Sequence, residues 1–62
     1  MYSFNFTSKF TVGDMENYLL NIYFDGSILE EQVSFVQFPT GTNQDTLDNF
    51  ANQKIDSIEG IQ

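Results

Sequence analysis

Hydrophobic and polar residues alternate along the first eleven positions of the chain. Tyr2, Phe4, Phe6 and Phe10 share one parity, and positions 3 to 11 of the other parity are all polar. Side chains on successive residues of a strand point to opposite sides. The pattern therefore predicts a β-strand that buries an aromatic face and exposes a polar one.

A second alternating segment runs over residues 18–24, and the dipeptide Asp25-Gly26 follows it at once. This dipeptide favours a two-residue type I′ hairpin, because both of its residues tolerate positive φ. Such a loop sets Phe24 opposite Ser27 and leads the chain into a third strand. The same register places a further apolar set on the buried side of the third strand: Leu29, Val33 and Phe35.

The period of the pattern changes after the third strand, where Pro39 and Gly41 interrupt the sheet. Apolar residues then recur at spacings of three and four, which is typical of one stripe of an α-helix. This stripe consists of Leu47, Phe50, Ala51, Ile55 and Ile58. Thr42 or Asn43 is positioned to cap the helix at its start, and Gly60 to end it.

We therefore expect residues 1–62 to form a single small α+β domain. Its predicted architecture is a three-stranded antiparallel β-meander with one C-terminal amphipathic α-helix packed on one face (β-β-β-α). A chain of this size buries only about 60% of the surface that it exposes when unfolded. It has no cysteine for a disulfide. Dense aromatic packing, or burial against another chain, is left to stabilise it.

The net charge of the chain limits the classes of partner that it can bind. Nine acidic residues against Lys9 and Lys54 give a formal net charge of −7, which repels nucleic-acid phosphates and anionic membranes. No apolar run approaches the roughly 20 residues of a membrane span, and the N-terminus lacks the layout of a signal peptide. We expect a soluble intracellular protein whose partner is another protein or itself, as a homo-oligomer, with no direct nucleic acid and no membrane.

The sequence offers little catalytic chemistry. Histidine and cysteine are absent, and no Gly-rich phosphate loop or metal-ligand spacing occurs. We expect no enzyme, no catalytic residue, no cofactor and no metal. Lys54 falls inside the apolar helix stripe. It is either a general-base or Schiff-base lysine, or its stem covers Phe50 while the ammonium reaches water or Glu31.

Four apolar residues fall on the sheet parity that should face water: Leu19, Tyr23, Ile28 and Val36. In the predicted register Tyr23 and Ile28 are directly opposite each other. A contiguous exposed apolar patch marks an interface, whereas scattered exposed hydrophobic residues are common and carry no meaning. Our first hypothesis is an assembly protein that binds copies of itself or a neighbouring subunit through this sheet face and through unpaired strand edges.

The helix carries a set of acidic residues on the side away from Phe50: Asp45, Asp48, Asp56 and Glu59. At 100° per residue they fall within an arc of about 80°. They form either an ordinary solvated helix face or a surface that docks into a basic, nucleic-acid-binding groove. The second hypothesis is therefore a small acidic inhibitor of a host or defence protein.

The chain also resembles a known group of proteins in its layout. It is acidic, begins at Met1, and combines a Tyr23-Phe24-Asp25-Gly26 hairpin, a break over Phe38-Pro39-Thr40-Gly41-Thr42 and a short acidic helix. In this it resembles small accessory proteins encoded by tailed bacteriophages. The resemblance spans the chain but includes no defining motif, so it transfers no functional residue. It implies a virion component or a small inhibitor in the host cytoplasm.

Overall fold

The computed structural model describes residues 1–60, and the last two residues of the expected domain lie outside them. In chain order the elements are β1 (Tyr2–Val12), β2 (Met15–Phe24), β3 (Ser27–Ile28), a 3-10 turn (Glu30–Gln32), β4 (Ser34–Pro39) and α1 (Gln44–Glu59). The predicted α+β fold, an antiparallel sheet with a C-terminal helix, is confirmed. The sheet has four strands rather than three, because the expected third strand is divided into β3 and β4.

β2 is the centre of the sheet. It pairs antiparallel with β1 on one side, and with β3 and then β4 on the other. Asp25 and Gly26 have φ of 51° and 84°, as a type I′ turn requires. The pairs Phe24 with Ser27 and Tyr23 with Ile28 form as predicted.

α1 covers one side of the sheet, which we call the inner face. Leu20, Ile22 and Ala51 are fully buried there. A run of edge-on aromatic pairs leads from Phe6 to Tyr18, from Tyr18 to Phe38 and from Phe38 to Phe50 on the helix, with ring centroids 5.5 to 6.3 Å apart. Each such pair adds about 0.5–1.5 kcal/mol beyond area burial. The rings therefore link the helix to β4 directly, and to β2 and β1 through Phe38 and Tyr18.

The helix begins with a side-chain cap. The Asn43 side-chain oxygen accepts hydrogen bonds of 2.9 Å from the backbone amide and the hydroxyl of Thr46. Of the two predicted caps, Asn43 is thus the one used, and Thr42 instead donates its hydroxyl hydrogen bond to the Pro39 carbonyl. Gly60 follows the last helical residue, as expected.

The alternation in β1 changes phase within the strand. Thr7 pairs with Leu19 but Phe10 pairs with Asn17, so one extra residue is accommodated in a β-bulge at Ser8, whose φ is 55°. One inserted residue reverses which side each following side chain takes. The prediction that Phe10 shares the buried face is therefore wrong: Phe10 lies on the opposite side and is 48% exposed.

A second change of phase separates β3 from β4. Ser27 and Ile28 keep the predicted register. In that register Glu31 would pair with Leu20, but Ser34, three residues later in the chain, pairs with Leu20 instead. The three residues form the 3-10 turn Glu30–Gln32. Because three is odd, all of β4 is reversed.

Two predictions fail for this reason. Phe35, expected in the core, is 67% exposed on the side away from the helix. Val36, predicted on the exposed side, packs against the core instead. A continuous strand would have set Glu31 opposite Leu20 on the inner face, and an unpaired carboxylate is costly to bury. The turn leaves Glu31 in solvent.

Candidate interaction surface

The side of the sheet away from α1, which we call the outer face, carries no charged residue within residues 1–60. The pairing register assigns it Ser3, Asn5, Thr7, Phe10 and Val12 from β1, Met15, Asn17, Leu19, Asn21 and Tyr23 from β2, Ile28 from β3, and Phe35, Gln37 and Pro39 from β4. All eleven charged side chains of the protein belong to the inner face, the turns or the helix. In a chain of net charge −7, this neutral surface differs from the rest of the molecule.

Phe10 and Phe35 form the centre of the apolar part of this face. Their ring centroids are 6.4 Å apart with planes at 73°, an edge-on contact that reaches across β2. We call these two residues the aromatic pair. Phe35 lies directly opposite Leu19, and Phe10 directly opposite Asn17. Both rings remain about half or more exposed, so their outer surfaces are free to be covered.

Amide side chains occupy the middle of the outer face. The Asn21 amide nitrogen donates to the side-chain oxygens of Asn5, at 3.0 Å, and Thr7, at 3.1 Å, which ties β1 to β2. Asn17 is only 8% exposed, and its amide nitrogen finds no hydrogen-bond partner in the described part of the chain. A buried amide without a partner costs about 1–3 kcal/mol, and Ser34 on the inner face likewise has a buried hydroxyl without a described partner.

The sequence-predicted surface residues are only partly brought together. Leu19, Tyr23 and Ile28 lie on the outer face, with Tyr23 and Ile28 paired, whereas Val36 belongs to the inner face. Parity does not predict the aromatic pair, because it places Phe10 and Phe35 in the core. Two polar residues on the buried parity signal the changes of phase: Ser8 interrupts the aromatic series of β1, and Glu31 interrupts the apolar series after the hairpin.

The sheet also presents free strand edges. Within residues 1–60, no strand pairs with the far side of β1 or with the far sides of β3 and β4. The start of β1 is held by the Met1 amino group, which pairs with the Asp25 carboxylate, and by the Asp25 amide, which donates to the Met1 carbonyl at 2.9 Å. Unpaired edges are templates for another strand.

The predicted acidic helix residues share an accessible surface. Asp45, Asp56 and Glu59 are exposed. Asp48 is half-buried and accepts a 2.9 Å hydrogen bond from the Gln44 amide. None of the four takes part in an ion pair with another described residue.

Lys9 and Glu16 form an ion pair near the turn that joins β1 to β2. The Lys9 ammonium lies 3.2 Å from a carboxylate oxygen of Glu16, a residue that is only 8% exposed. Hydrogen bonding to Glu16 and its negative charge, with a smaller contribution from Tyr18, raise the pKa of Lys9 above its ordinary 10.5. The pair gives the buried carboxylate a counter-ion.

A groove of about 370 Å³ runs beside the C-terminal half of α1. It is lined by Gln32, Phe50, Gln53, Lys54, Ser57 and Ile58. Lys54 is half-buried there and forms no ion pair with Glu31 or any other described carboxylate. No three acidic side chains among residues 1–60 gather into a group that could hold a metal ion.

Comparison with known proteins identifies no relative: no protein-family model, curated protein or solved structure matches the chain. Within the described residues, α1 is too short and too polar to be a membrane-spanning helix.

Proposed function

We propose that the chain is a non-enzymatic protein-interaction or assembly protein that acts through its outer sheet face and strand edges. The observation that carries this proposal is the exposed aromatic pair on an uncharged face. Covering a phenylalanine side chain is worth about 1.5–3 kcal/mol, a gain that Phe35 does not realise while it is 67% exposed. The layout resemblance to small accessory proteins of tailed bacteriophages suggests the setting, a virion or the host cytoplasm.

The kind of partner follows from charge. Phosphate backbones and anionic lipid surfaces are repelled by a net charge of −7. A protein surface that is itself neutral and partly apolar has no such barrier at the outer face. Asn17, directly opposite Phe10, and Gln37, opposite Asn17 on β4, place amide groups beside the aromatic pair, and protein interfaces combine apolar contacts with hydrogen bonds in this way.

Capture experiments with matched variants test this proposal. The tagged chain is immobilised and offered untagged copies of itself and an extract of its source cells. Phe35→Ser on the outer face should abolish retention, because it removes the most exposed half of the aromatic pair. Phe24→Ser is the control: Phe24 is also an exposed aromatic, 44% accessible, but its ring packs at a tilt of 57° against Tyr2 on the inner face. Equal retention by wild type and Phe35→Ser would refute the outer face as the binding surface.

A second candidate function uses the acidic helix face. It is favoured by the exposure of Asp45, Asp56 and Glu59 without ion pairs among described residues. In this function the chain inhibits a host or defence protein by occupying its basic, nucleic-acid-binding groove. Binding would then weaken steeply between about 50 and 200 mM salt, and Asp45→Asn with Asp56→Asn would reduce it, while Phe35→Ser would leave it intact.

A further inference from the structure

We infer that the partner of the outer face is a second copy of this chain, docked face to face about a two-fold axis. The inference rests on the proposed function and specifies its occupant. The two sheets would pack through their aromatic pairs, with the helix of each copy on the far side. The result is a four-layer arrangement of helix, sheet, sheet and helix.

Charge is the first argument. Every acidic residue of the chain lies in the helix, the turns or the inner face, so two copies repel each other least when their outer faces are together. A strongly basic partner would be steered instead to the acidic helix. A neutral surface on an otherwise acidic molecule therefore fits an equally acidic molecule with an equally neutral surface. A second copy meets both conditions.

Area is the second argument. The described residues extend over 38 × 18 × 16 Å. A sheet face within these overall dimensions offers at most about 700 Å² per copy, so a face-to-face dimer buries at most about 1,400 Å² in total. Stable specific interfaces bury about 1,200–2,000 Å². A dimer that covers most of the outer face therefore reaches the lower part of this range.

Separation of the remaining charge is the third argument. Packed sheets lie about 10 Å apart, and a helix is about 10 Å across. The acidic helices of the two copies would therefore be roughly 30 Å apart, against a Debye length of about 8 Å at physiological ionic strength. Their mutual repulsion is screened at this distance, and added salt should slightly strengthen the dimer rather than weaken it.

Sedimentation equilibrium of the purified chain tests the inference. We expect the mass to rise with concentration from 7.1 kDa to twice that value. Phe35→Ser removes one phenylalanine from each side of the interface and should weaken the dimer about 100-fold. Phe24→Ser, on the inner side, should leave the dissociation constant unchanged.

Two charge variants distinguish the effect of a charge on the outer face from the effect of a change in net charge. Gln37→Glu places a carboxylate on the outer face, and Gln53→Glu places one on the helix, so that both chains carry one more negative charge. Gln37→Glu should weaken the dimer about tenfold through like-charge repulsion across the interface, whereas Gln53→Glu should not. Circular dichroism of each variant establishes that it is folded.

The outcomes distinguish this inference from the proposed function. A chain that is a monomer at every concentration would overturn the inference that the partner is a second copy. A dimer whose dissociation constant is unchanged by both Phe35→Ser and Gln37→Glu would also overturn it, because such a dimer would pair through its strand edges. If the monomeric chain still retains another protein in a Phe35-dependent way, the outer face remains a docking surface with a different occupant. If no retention depends on Phe35, the outer face is excluded in both roles, and any retention that persists belongs to the strand edges.

Discussion

The two faces of this sheet are built from the same strands but are stabilised in different ways. The inner face combines fully buried Leu20 and Ile22 with aromatic rings and the apolar stripe of α1. The outer face places amides between apolar residues, leaves Phe35 largely in solvent and contains no charge in the described chain. The inner face thus provides most of the apolar packing that stabilises the fold, whereas the outer face contributes side-chain hydrogen bonds from Asn21 and leaves its aromatic pair exposed.

The largest expected effect comes from truncating each face in turn. Ile22→Ala should reduce the free energy of unfolding by about 2–5 kcal/mol, because the side chain is fully buried. Phe35→Ala should reduce it by about 0.5–1.5 kcal/mol in the monomer, because it loses the edge-on contact with Phe10. Urea titration at low protein concentration measures both. If Ile22→Ala leaves too little folded protein to titrate, its loss exceeds that of any variant that remains folded. A loss for Phe35→Ala as large as that for Ile22→Ala would erase the distinction between the faces.

A smaller effect should separate two asparagines on the outer face of β2. Asn21→Leu loses two hydrogen bonds and should destabilise the fold by about 1–2 kcal/mol. Asn17→Leu removes a buried amide nitrogen that has no described partner, and should stabilise the fold by about 1 kcal/mol. Thermal or urea unfolding of both variants at low protein concentration measures the difference. A loss of stability in Asn17→Leu would mean that its amide is satisfied after all.

The smallest expected effect concerns the ion pair between Lys9 and Glu16. Glu16 raises the pKa of Lys9 in the folded protein, so this pair contributes stability that is fully present below pH 10.5 and is lost as pH rises through the raised pKa. Lys9→Met should therefore lower the urea midpoint at neutral pH, and its difference from wild type should shrink at strongly alkaline pH. A difference that is constant with pH would exclude the ion pair as its source.

The fold was predictable wherever local chemistry and periodicity agree. Asp25-Gly26 gave the hairpin and its first two residue pairs, and the stripe from Leu47 to Ile58 gave the helix. Parity alone could not locate changes of phase. Ser8 and Glu31 mark them in retrospect, but a polar residue on a buried parity can equally lie at the rim of the sheet.

The predicted surface was affected for the same reason. Leu19, Tyr23 and Ile28 precede the second change of phase or lie on the uninterrupted β2, so they take the side that was expected. Val36 follows the 3-10 turn and is reversed. Which side Phe10 and Phe35 take depends on the register that gives the lower free energy over the whole sheet. That free energy depends on contacts among all the strands, so no single segment of the sequence determines it.

The bulge at Ser8 absorbs one extra residue without changing how the rest of β1 pairs with β2. Deleting the single codon for Ser8 would bring Lys9 opposite Tyr18 and leave Phe10 opposite Asn17, so the aromatic pair would persist while the positive φ at Ser8 disappeared. In descendants of this gene, an in-frame loss of this one codon should therefore preserve both faces of the sheet.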